Sequence, residues 1–430
     1  EDIKLIYQKK KNLILNKKNI FKEKVKNQYN MTDFQNINLT NIQSFIKSFP
    51  TNDDFLKFLT EKGILFTVDS ENGMTILRYN KEHPNCDLTD SFTKFCRGLI
   101  IDNETNNIIC FPPEKSNLFV SLPEHNFGDL HIEDFIDGTM INLFFHNDQM
   151  HISTRSCIGA NGKWFSEKKF SDMFVEAQGE LNFDNFEKNY TYTFVLRHPE
   201  NRIVTKYNKA DLVLVQVRDM HTFNIINTSI VKGVLKERNI DITIPVNYNF
   251  TDLDQLTNYV AQMNWEQQGV VVKLGNFRSK IRNEKYNYVK NMRGNSPRLF
   301  YNFIDLRNNK MIKQYLQYFP EYKPEFHEFT NEIIQTTKEI HKTYIDFRVK
   351  KIITPDDIPK EIKTLIYELH GFHIKDGITI TFDYVKNYFN TLLCFDLGNV
   401  DVEHIETRKK KVNIIRYMRE RLEKKFTNSE

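Results

Sequence analysis

Short apolar runs separated by polar turns dominate the chain from about residue 61 to residue 292. Residues 212–217 and 269–274 are two such runs, rich in valine and leucine. Compact runs of β-branched residues between turns are typical of buried strands. The pattern therefore predicts a sheet-containing domain over residues 61–292.

A helical spacing replaces this pattern after about residue 293. Thr354 followed by Pro355 predicts a helix start, because threonine caps helices and proline fits the first turn. Residues 408–425 carry lysine and arginine at close intervals and predict a basic helix. These features predict an all-helical domain over residues 293–430. Its expected apolar stripe comprises Phe329, Ile333, Thr337, Ile340, Tyr344 and Phe347.

Residues 1–60 form a third segment, rich in lysine and asparagine. The spacing of Leu13, Ile20 and Val25 is consistent with a basic, partly amphipathic helix. We interpret the segment as a basic N-terminal extension. It has two possible roles, as a contact for RNA or as the solvated face of a helix packed on the main domain.

Composition narrows the class of protein. The 430 residues have a formal net charge of +4, so evidence for a nucleic-acid partner must come from local patches. The cysteines have no C-x-x-C spacing, which argues against a zinc site or disulfide framework and favours a reducing compartment.

No apolar run approaches a membrane span, and residues 1–4 carry charges where a signal peptide would be apolar, so we expect a cytoplasmic protein. A bias towards Lys, Asn, Ile, Phe and Tyr, with four alanines, suggests an A+T-rich gene. The five cysteines are Cys86, Cys96, Cys110, Cys157 and Cys394.

Seven short segments between about residues 78 and 290 occur in a specific order. The first begins Cys96–Arg97–Gly98, and the fifth reads Pro199–Glu200–Asn201–Arg202–Ile203–Val204. As a set the segments resemble the motifs of the phage anticodon-repair RNA ligase family. The resemblance implies an α+β fold, with an antiparallel-sheet nucleotidyltransferase (RNA ligase-like) domain followed by an all-helical C-terminal domain that is associated with preference for tRNA. The segments are residues 96–102, 111–115, 137–139, 153–156, 199–204, 268–272 and 280–282.

The chain departs from the family pattern where the chemistry is performed. The family's nucleophile is a lysine in K-x-D-G, and here Phe135 precedes Ile136, Asp137 and Gly138. A lysine amine can attack the α-phosphate of ATP, whereas phenylalanine cannot. Val195 and Gln268 stand where the family has carboxylates that help to position metal and ribose. Arg282 replaces the second lysine of K-x-K, which keeps the charge but changes its geometry.

The cationic positions of the motifs survive. We interpret them as a groove that still binds RNA or phosphate, although Asp137 and Gly138 could persist only for a tight turn and the arginines could be solvated surface residues. The expected RNA- and phosphate-binding residues are Arg97, Lys115, Arg155, Arg202, Lys280 and Arg282.

A stretch between residues 273 and 300 alternates cations with aromatic residues, as single-stranded or loop RNA requires. The alternative is that its aromatic residues belong to the core and its cations merely face water. The cations are Lys273, Arg278, Lys280, Arg282, Lys285, Lys290, Arg293 and Arg298, and the aromatic residues are Phe277, Tyr286, Tyr288 and Phe300.

The sequence thus predicts a non-catalytic RNA-binding pseudo-ligase, without cofactor or catalytic residue, whose partner is tRNA or its anticodon arm. Its size and compositional bias resemble the immunity proteins of yeast linear killer plasmids, which implies protection against a tRNA anticodon nuclease and indirect involvement of a toxin or repair enzyme. One alternative is an active ATP-dependent nucleotidyltransferase with an atypical nucleophile, for which Lys115 and Lys163 flank the pocket segments without being placed for attack. Another is a structural interaction subunit with a ligase fold.

Overall fold

The computed structural model describes residues 40–116, 127–164, 166–295, 298–394 and 405–427. Most of the predicted N-terminal extension, including Leu13, Ile20 and Val25, lies outside this range. The chain divides into two compact units, residues 1–288 and 289–430, and we describe each by itself.

Three antiparallel sheets form the core of the described part of the first unit. Their strand orders are β1–β2–β3–β4, β10–β9–β8–β6–β7 and β11–β5–β12–β13. The predicted strands at 212–217 and 269–274 lie in β9 and β12 and are confirmed. The strands are β1 (Ile64–Asp69), β2 (Met74–Tyr79), β3 (Arg97–Asp102), β4 (Ile108–Cys110), β5 (His131–Asp134), β6 (Thr139–His146), β7 (Gln149–Ser153), β8 (Tyr190–Arg197), β9 (Asp211–Asp219), β10 (Ile225–Ile226), β11 (Asn247–Tyr248), β12 (Gly269–Leu274) and β13 (Phe277–Arg282).

Helices cover one face of each sheet in this unit. The last part of the segment predicted as an extension, residues 40–60, belongs to two helices that pack on the first sheet through Ile46, Phe55 and Leu59. The helices are α1 (Thr40–Lys47), α2 (Asn52–Glu61), α3 (Ser91–Phe95), α4 (Phe170–Gln178), α5 (Thr228–Glu237), α6 (Leu253–Gln262) and α7 (Glu284–Arg293), the last of which crosses into the second unit. Short 3₁₀ turns occur at Phe127–Asp129 and Phe183–Asn185.

Strand alternation gives the second and third sheets one apolar and one polar face. In the second sheet Ile141 and Leu143 pack into the core formed with α4 and α5, whereas Asn142 points away from that core and accepts a hydrogen bond from Thr193 at 3.0 Å. In the third sheet the apolar face packs on α6. The Lys273 ammonium donates to the Val215 carbonyl at 2.8 Å, so the charged face of the third sheet meets the second sheet. A polar layer therefore lies between these two sheets.

Helices make up the second unit, as the sequence predicts. The expected apolar stripe is buried along α10, except for Phe347, which lies half-buried in the π-helix that follows. The described helices are α8 (Leu299–Asn308), α9 (Ile312–Tyr318), α10 (Lys323–Tyr344), α11 (Lys360–Asp376), α12 (Phe382–Cys394) and α13 (Ile405–Thr427), with a π-helix at Ile345–Val349 and 3₁₀ turns at Pro320–Tyr322 and Pro355–Asp357.

One local prediction in this unit needs correction. Thr354 caps only a 3₁₀ turn, and α11 begins at Lys360, because Ile358 precedes Pro359 and stays extended.

The predicted basic helix at 408–425 is confirmed, and some of its cations pair with carboxylates. Arg421 and Lys425 form ion pairs with the fully buried Glu332 of α10, at 3.0 and 2.8 Å. Within the described residues, no helix is both long and apolar enough to cross a membrane.

Candidate functional site

Phe135 lies at the junction of β5 and β6, and its backbone N–H donates to the Gly269 carbonyl at 3.0 Å. The Lys280 Nζ and the Arg282 Cζ lie 5.6 and 5.5 Å from the centroid of its half-buried ring. Both cations point to the same face of β13 because they are two residues apart. At these distances a cation is attracted to an aromatic ring. The Phe135 ring thus lies within cation–π distance of two basic residues of β13.

Asp137 has a structural role in the same loop. Its buried carboxylate accepts hydrogen bonds from the Val204 and Thr205 backbone N–H groups at 3.0 and 2.9 Å, and from the Tyr286 hydroxyl at 2.6 Å. Burial, and then the nearby Asp137 carboxylate, raises the pKa of Tyr286, which keeps this hydroxyl protonated as a donor. Asp137 therefore fixes the turn at 204–205 against α7.

Gly138 and Val195 touch across β6 and β8. Gly138 has φ +148°, and a Cβ at this position would meet the Leu196 carbonyl oxygen and lie 2.7 Å from the Val195 Cγ1. Only glycine tolerates both the conformation and the close approach. The half-buried Val195 side chain presents only methyl groups here, and no carboxylate.

Gln268 precedes β12 and is buried. Its backbone carbonyl accepts a hydrogen bond from the Asn283 N–H at 3.1 Å, which ties the start of β12 to the end of β13. A neutral amide at this position can donate and accept hydrogen bonds but cannot neutralise a metal ion.

Arg97 and Arg155 bring positive charge to the same region. A Cβ on Gly98 would lie 3.1 Å from the Arg155 Cα, so the start of β3 and the turn after β7 approach closely. Burial lowers the pKa of Arg97 to about 10, and the like charges of Arg278 and Arg155 act in the same direction. The Arg97 Nη1 donates to the Pro113 carbonyl at 3.2 Å. Convergence of like charges is unfavourable without an anion, so this cluster suits a phosphate ligand.

Two buried acid–base pairs accompany these cations. Glu133 and Lys273 lie 2.5 Å apart, and Glu114 lies 3.6 Å from Arg218. Burial alone would raise the pKa of Glu133, but Lys273 and His131 hold it below its ordinary value. Burial lowers the pKa of Lys273 despite Glu133. Both carboxylates are therefore occupied by protein cations in this arrangement.

Lys115 and Arg202 each donate a hydrogen bond to a backbone carbonyl. The Lys115 backbone N–H donates to the Lys94 carbonyl at 3.1 Å, and burial and then the Lys115 charge lower the pKa of Lys94. The Arg202 Nε donates to the Val204 carbonyl at 3.0 Å, within the turn that Asp137 fixes. Among the predicted site residues, the structure brings Phe135, Lys280 and Arg282 together as one group. It brings Arg97 and Arg155 together as another.

No group of three or more His, Cys, Asp or Glu residues in the described ranges is arranged to hold a metal ion. A polar cavity of about 670 Å³ lies between the 70–73 and 102–107 turns and the β6–β7 hairpin. It contains an Asp102–His146 pair at 3.2 Å and is lined by none of the predicted site residues. Because this cavity contains none of those residues, we take the motif residues, and not the cavity, as the candidate site.

The predicted RNA-binding stretch at 273–300 is mostly structural. Phe277, Tyr286 and Phe300 are buried, so their rings cannot stack on bases. The Lys285 ammonium donates to the Ala261 and Met263 carbonyls near the end of α6, at 3.2 and 3.0 Å. The alternative interpretation, with aromatic residues in the core, is correct for these positions.

Several site residues were not singled out from the sequence as parts of a buried charge network. Glu133 and Arg218 give no motif signal, since one carboxylate or arginine in a strand predicts nothing. Arg278 could have been assigned to the pocket, because two-residue periodicity places it on the face of β13 that carries Lys280 and Arg282.

Known proteins similar to this chain are RNA ligases. No protein-family profile matches. In sequence the chain is 25% identical, over 233 residues, to a protein of Autographa californica nuclear polyhedrosis virus named "Putative bifunctional polynucleotide kinase/RNA ligase". The match covers 47% of this chain and 31% of that protein, so the chain spans about a third of its curated relative.

Solved structures give the same class of protein. An archaeal ATP-dependent RNA ligase has a TM-score of 0.42 at 13% identity, with 84% of this chain and 99% of that chain covered. A variant of Naegleria gruberi RNA ligase, solved with AMP and Mn, has a TM-score of 0.34 at 12% identity, covering 41% of this chain and 57% of that one. The sequence match to the viral protein does not distinguish the phage anticodon-repair group from other RNA ligases.

Proposed function

We propose that this chain is an RNA-binding protein with an RNA ligase-like sheet unit that does not transfer a nucleotidyl group. The observation that carries the proposal is Phe135, which stands where the family has its lysine nucleophile and lies beneath Lys280 and Arg282. The sequence similarity to an RNA ligase supports the class of ligand. The surviving cations retain phosphate affinity while the groups that activate chemistry are absent.

Two other lysines near the motifs are poorly suited to act as an alternative nucleophile. Lys273 is buried in the polar layer, but its ammonium is engaged by Glu133 and by the Val215 carbonyl. Lys163 forms an ion pair with the exposed Glu167 at 3.0 Å. A nucleophile needs a free electron pair within reach of the α-phosphate, and each of these amines is already engaged by a protein acceptor.

The partner we propose is tRNA, held at its anticodon arm. Arg97, Arg155, Lys280 and Arg282 would contact backbone phosphates, and the helical unit would distinguish a folded RNA from an unstructured one. Such a protein could protect tRNA by covering the anticodon loop or by retaining its cleaved halves. This role fits immunity against an anticodon nuclease.

Incubation with labelled ATP or GTP and magnesium, followed by intact mass measurement, tests the absence of chemistry. We expect no AMP or GMP adduct, and an active RNA ligase serves as the positive control. A stoichiometric adduct would overturn the proposal. Repeating the assay with Lys273→Met would then show whether Lys273 is the amine that carries it.

Binding measurements test the partner. Intact tRNA, tRNA nicked in the anticodon loop and an unstructured RNA of equal length are compared at one salt concentration. We expect both tRNA forms to bind more tightly than the unstructured RNA. Equal affinity would reduce the proposal to general RNA binding, and no affinity would favour a structural interaction subunit.

A further inference from the structure

Arg348 occupies an unusual position at the end of α10. It lies in the π-helix at Ile345–Val349, and π-helical turns occur frequently at functional sites. Its guanidinium carbon lies 4.3 Å from the centroid of the Phe347 ring and 4.7 Å from that of Tyr367 on α11. Stacking on two rings restrains the guanidinium plane, so the group is preorganised to present its N–H donors.

The described part of the chain supplies no acceptor for these donors. No hydrogen bond or ion pair joins Arg348 to another described residue, and its Nε is buried without a partner. The Nδ1 of the neighbouring His370 is also buried and unpaired. Buried polar groups are nearly always satisfied, so an orphaned pair in one cluster points to a missing ligand.

The fixed positive charge of this cluster is that of Arg348. Burial lowers the pKa of His370, and the charges of Arg348 and His373 lower it further. Asp346 belongs to the same turn but is paired with Lys350 at 3.2 Å, which leaves it unavailable to neutralise Arg348. An anion is therefore the complementary ligand.

We propose that the Arg348–Tyr367–His370 cluster is a second RNA contact, at which Arg348 binds a backbone phosphate and Tyr367 stacks on an unpaired base. The proposal rests on the RNA-binding function given above. Tyr367 is 43% exposed, so it retains ring surface for a base while it supports Arg348. Base stacking beside a cation is a recurrent way to bind single-stranded RNA.

Equilibrium binding of a short single-stranded RNA to the full chain tests this site across a salt series. We expect Arg348→Gln to weaken binding about tenfold, which corresponds to one lost charge-assisted contact. The slope of log affinity against log salt should fall by about 0.7. Tyr367→Leu should weaken binding also, whereas Tyr367→Phe, which keeps the ring, should not.

Arg416→Gln is the matched control, because Arg416 is an exposed arginine of the same unit outside the cluster. Circular dichroism and thermal melting establish that each variant is folded. Equal loss in Arg348→Gln and Arg416→Gln would overturn the second contact alone, since wild-type binding would still support the general function. If the wild-type chain bound no RNA, the proposed function and this inference would both be wrong.

Inorganic phosphate at matched ionic strength distinguishes the source of the anion. We expect it to compete weakly with RNA, because it supplies one charge site and no base. A different outcome would overturn the assignment to RNA in favour of a free phosphate compound. In that case phosphate raises the melting temperature of the wild type but not of Arg348→Gln, and neither protein binds RNA.

Discussion

The Lys280 ammonium lies 5.6 Å from the centroid of the Phe135 ring, so a basic residue of β13 contacts an aromatic residue at the junction of β5 and β6. The Arg282 Cζ lies 5.5 Å from the same centroid. The ring attracts both cations, and it supplies no amine at this position.

Restoring the lysine alone should not restore ligation. Phe135→Lys supplies an amine, but Val195 and Gln268 still lack carboxylates, and catalytic groups act as a unit. We expect no sealing of nicked RNA and no adduct by intact mass. The variant should also be less stable than Phe135→Leu, its matched control, by about 1 kcal/mol because it adds a third cation beside Lys280 and Arg282. Enzyme-like ligation by the single variant would show that the other two positions are dispensable.

Neutralising the two cations over the ring should weaken RNA binding without sequence preference. The double variant Lys280→Gln, Arg282→Gln removes two phosphate contacts, so the salt slope should fall by about 1.4 for single-stranded RNA. Lys47→Gln with Lys57→Gln removes the same charge from exposed positions on α1 and α2 and should leave the slope nearly unchanged. Filter binding over a salt series measures both. Equal slopes in the two double variants would mean that the pocket does not contact RNA.

The Glu133–Lys273 pair should make stability depend on pH in the acid range. The pKa of Glu133 in the folded chain is held below its ordinary value of 4.5, so its contribution is present above pH 4.5 and is lost as the pH falls through the folded value. Urea unfolding below pH 4.5 should therefore show a smaller loss of unfolding free energy for Glu133→Gln than for the wild type. His131→Gln keeps the carboxylate and serves as the comparison. Parallel curves for Glu133→Gln and wild type would contradict the pairing.

The fold could be predicted from sequence where local patterns determine it. The valine-rich runs in β9 and β12 and the apolar stripe on α10 follow from spacing alone. Departures from the motifs that the chain resembles were equally visible, because Phe135 stands two residues before Asp137. The contact between Phe135 and Lys280 was not predictable, since strands distant in sequence bring these side chains together.

The sequence also could not predict which side chains are buried. Alternating cations and aromatic residues between 273 and 300 are compatible with either a stacking surface or a core, and the pattern cannot say which side faces water. Lys273 and Arg278 are compatible with surface cations in the sequence, yet burial lowers the pKa of both, against the opposing effect of the Glu133 carboxylate. Tertiary pairing of charges is set by sheet packing, and no local signal encodes it.

The contacts of Arg293 are another tertiary pairing that the sequence could not predict, and they lead to a testable expectation. Its buried guanidinium donates to the Tyr315 and Tyr322 hydroxyls at 3.0 and 2.8 Å and lies 5.3 Å from the centroid of the Phe319 ring. Arg293→Met should therefore lower the free energy of unfolding of the helical unit by about 2–4 kcal/mol, because two charge-assisted hydrogen bonds are lost. Under conditions where the variant is folded, its RNA affinity and salt slope should equal those of the wild type. Differential scanning calorimetry and filter binding test the two parts separately. A stable variant with a reduced salt slope would instead assign Arg293 to the RNA contact.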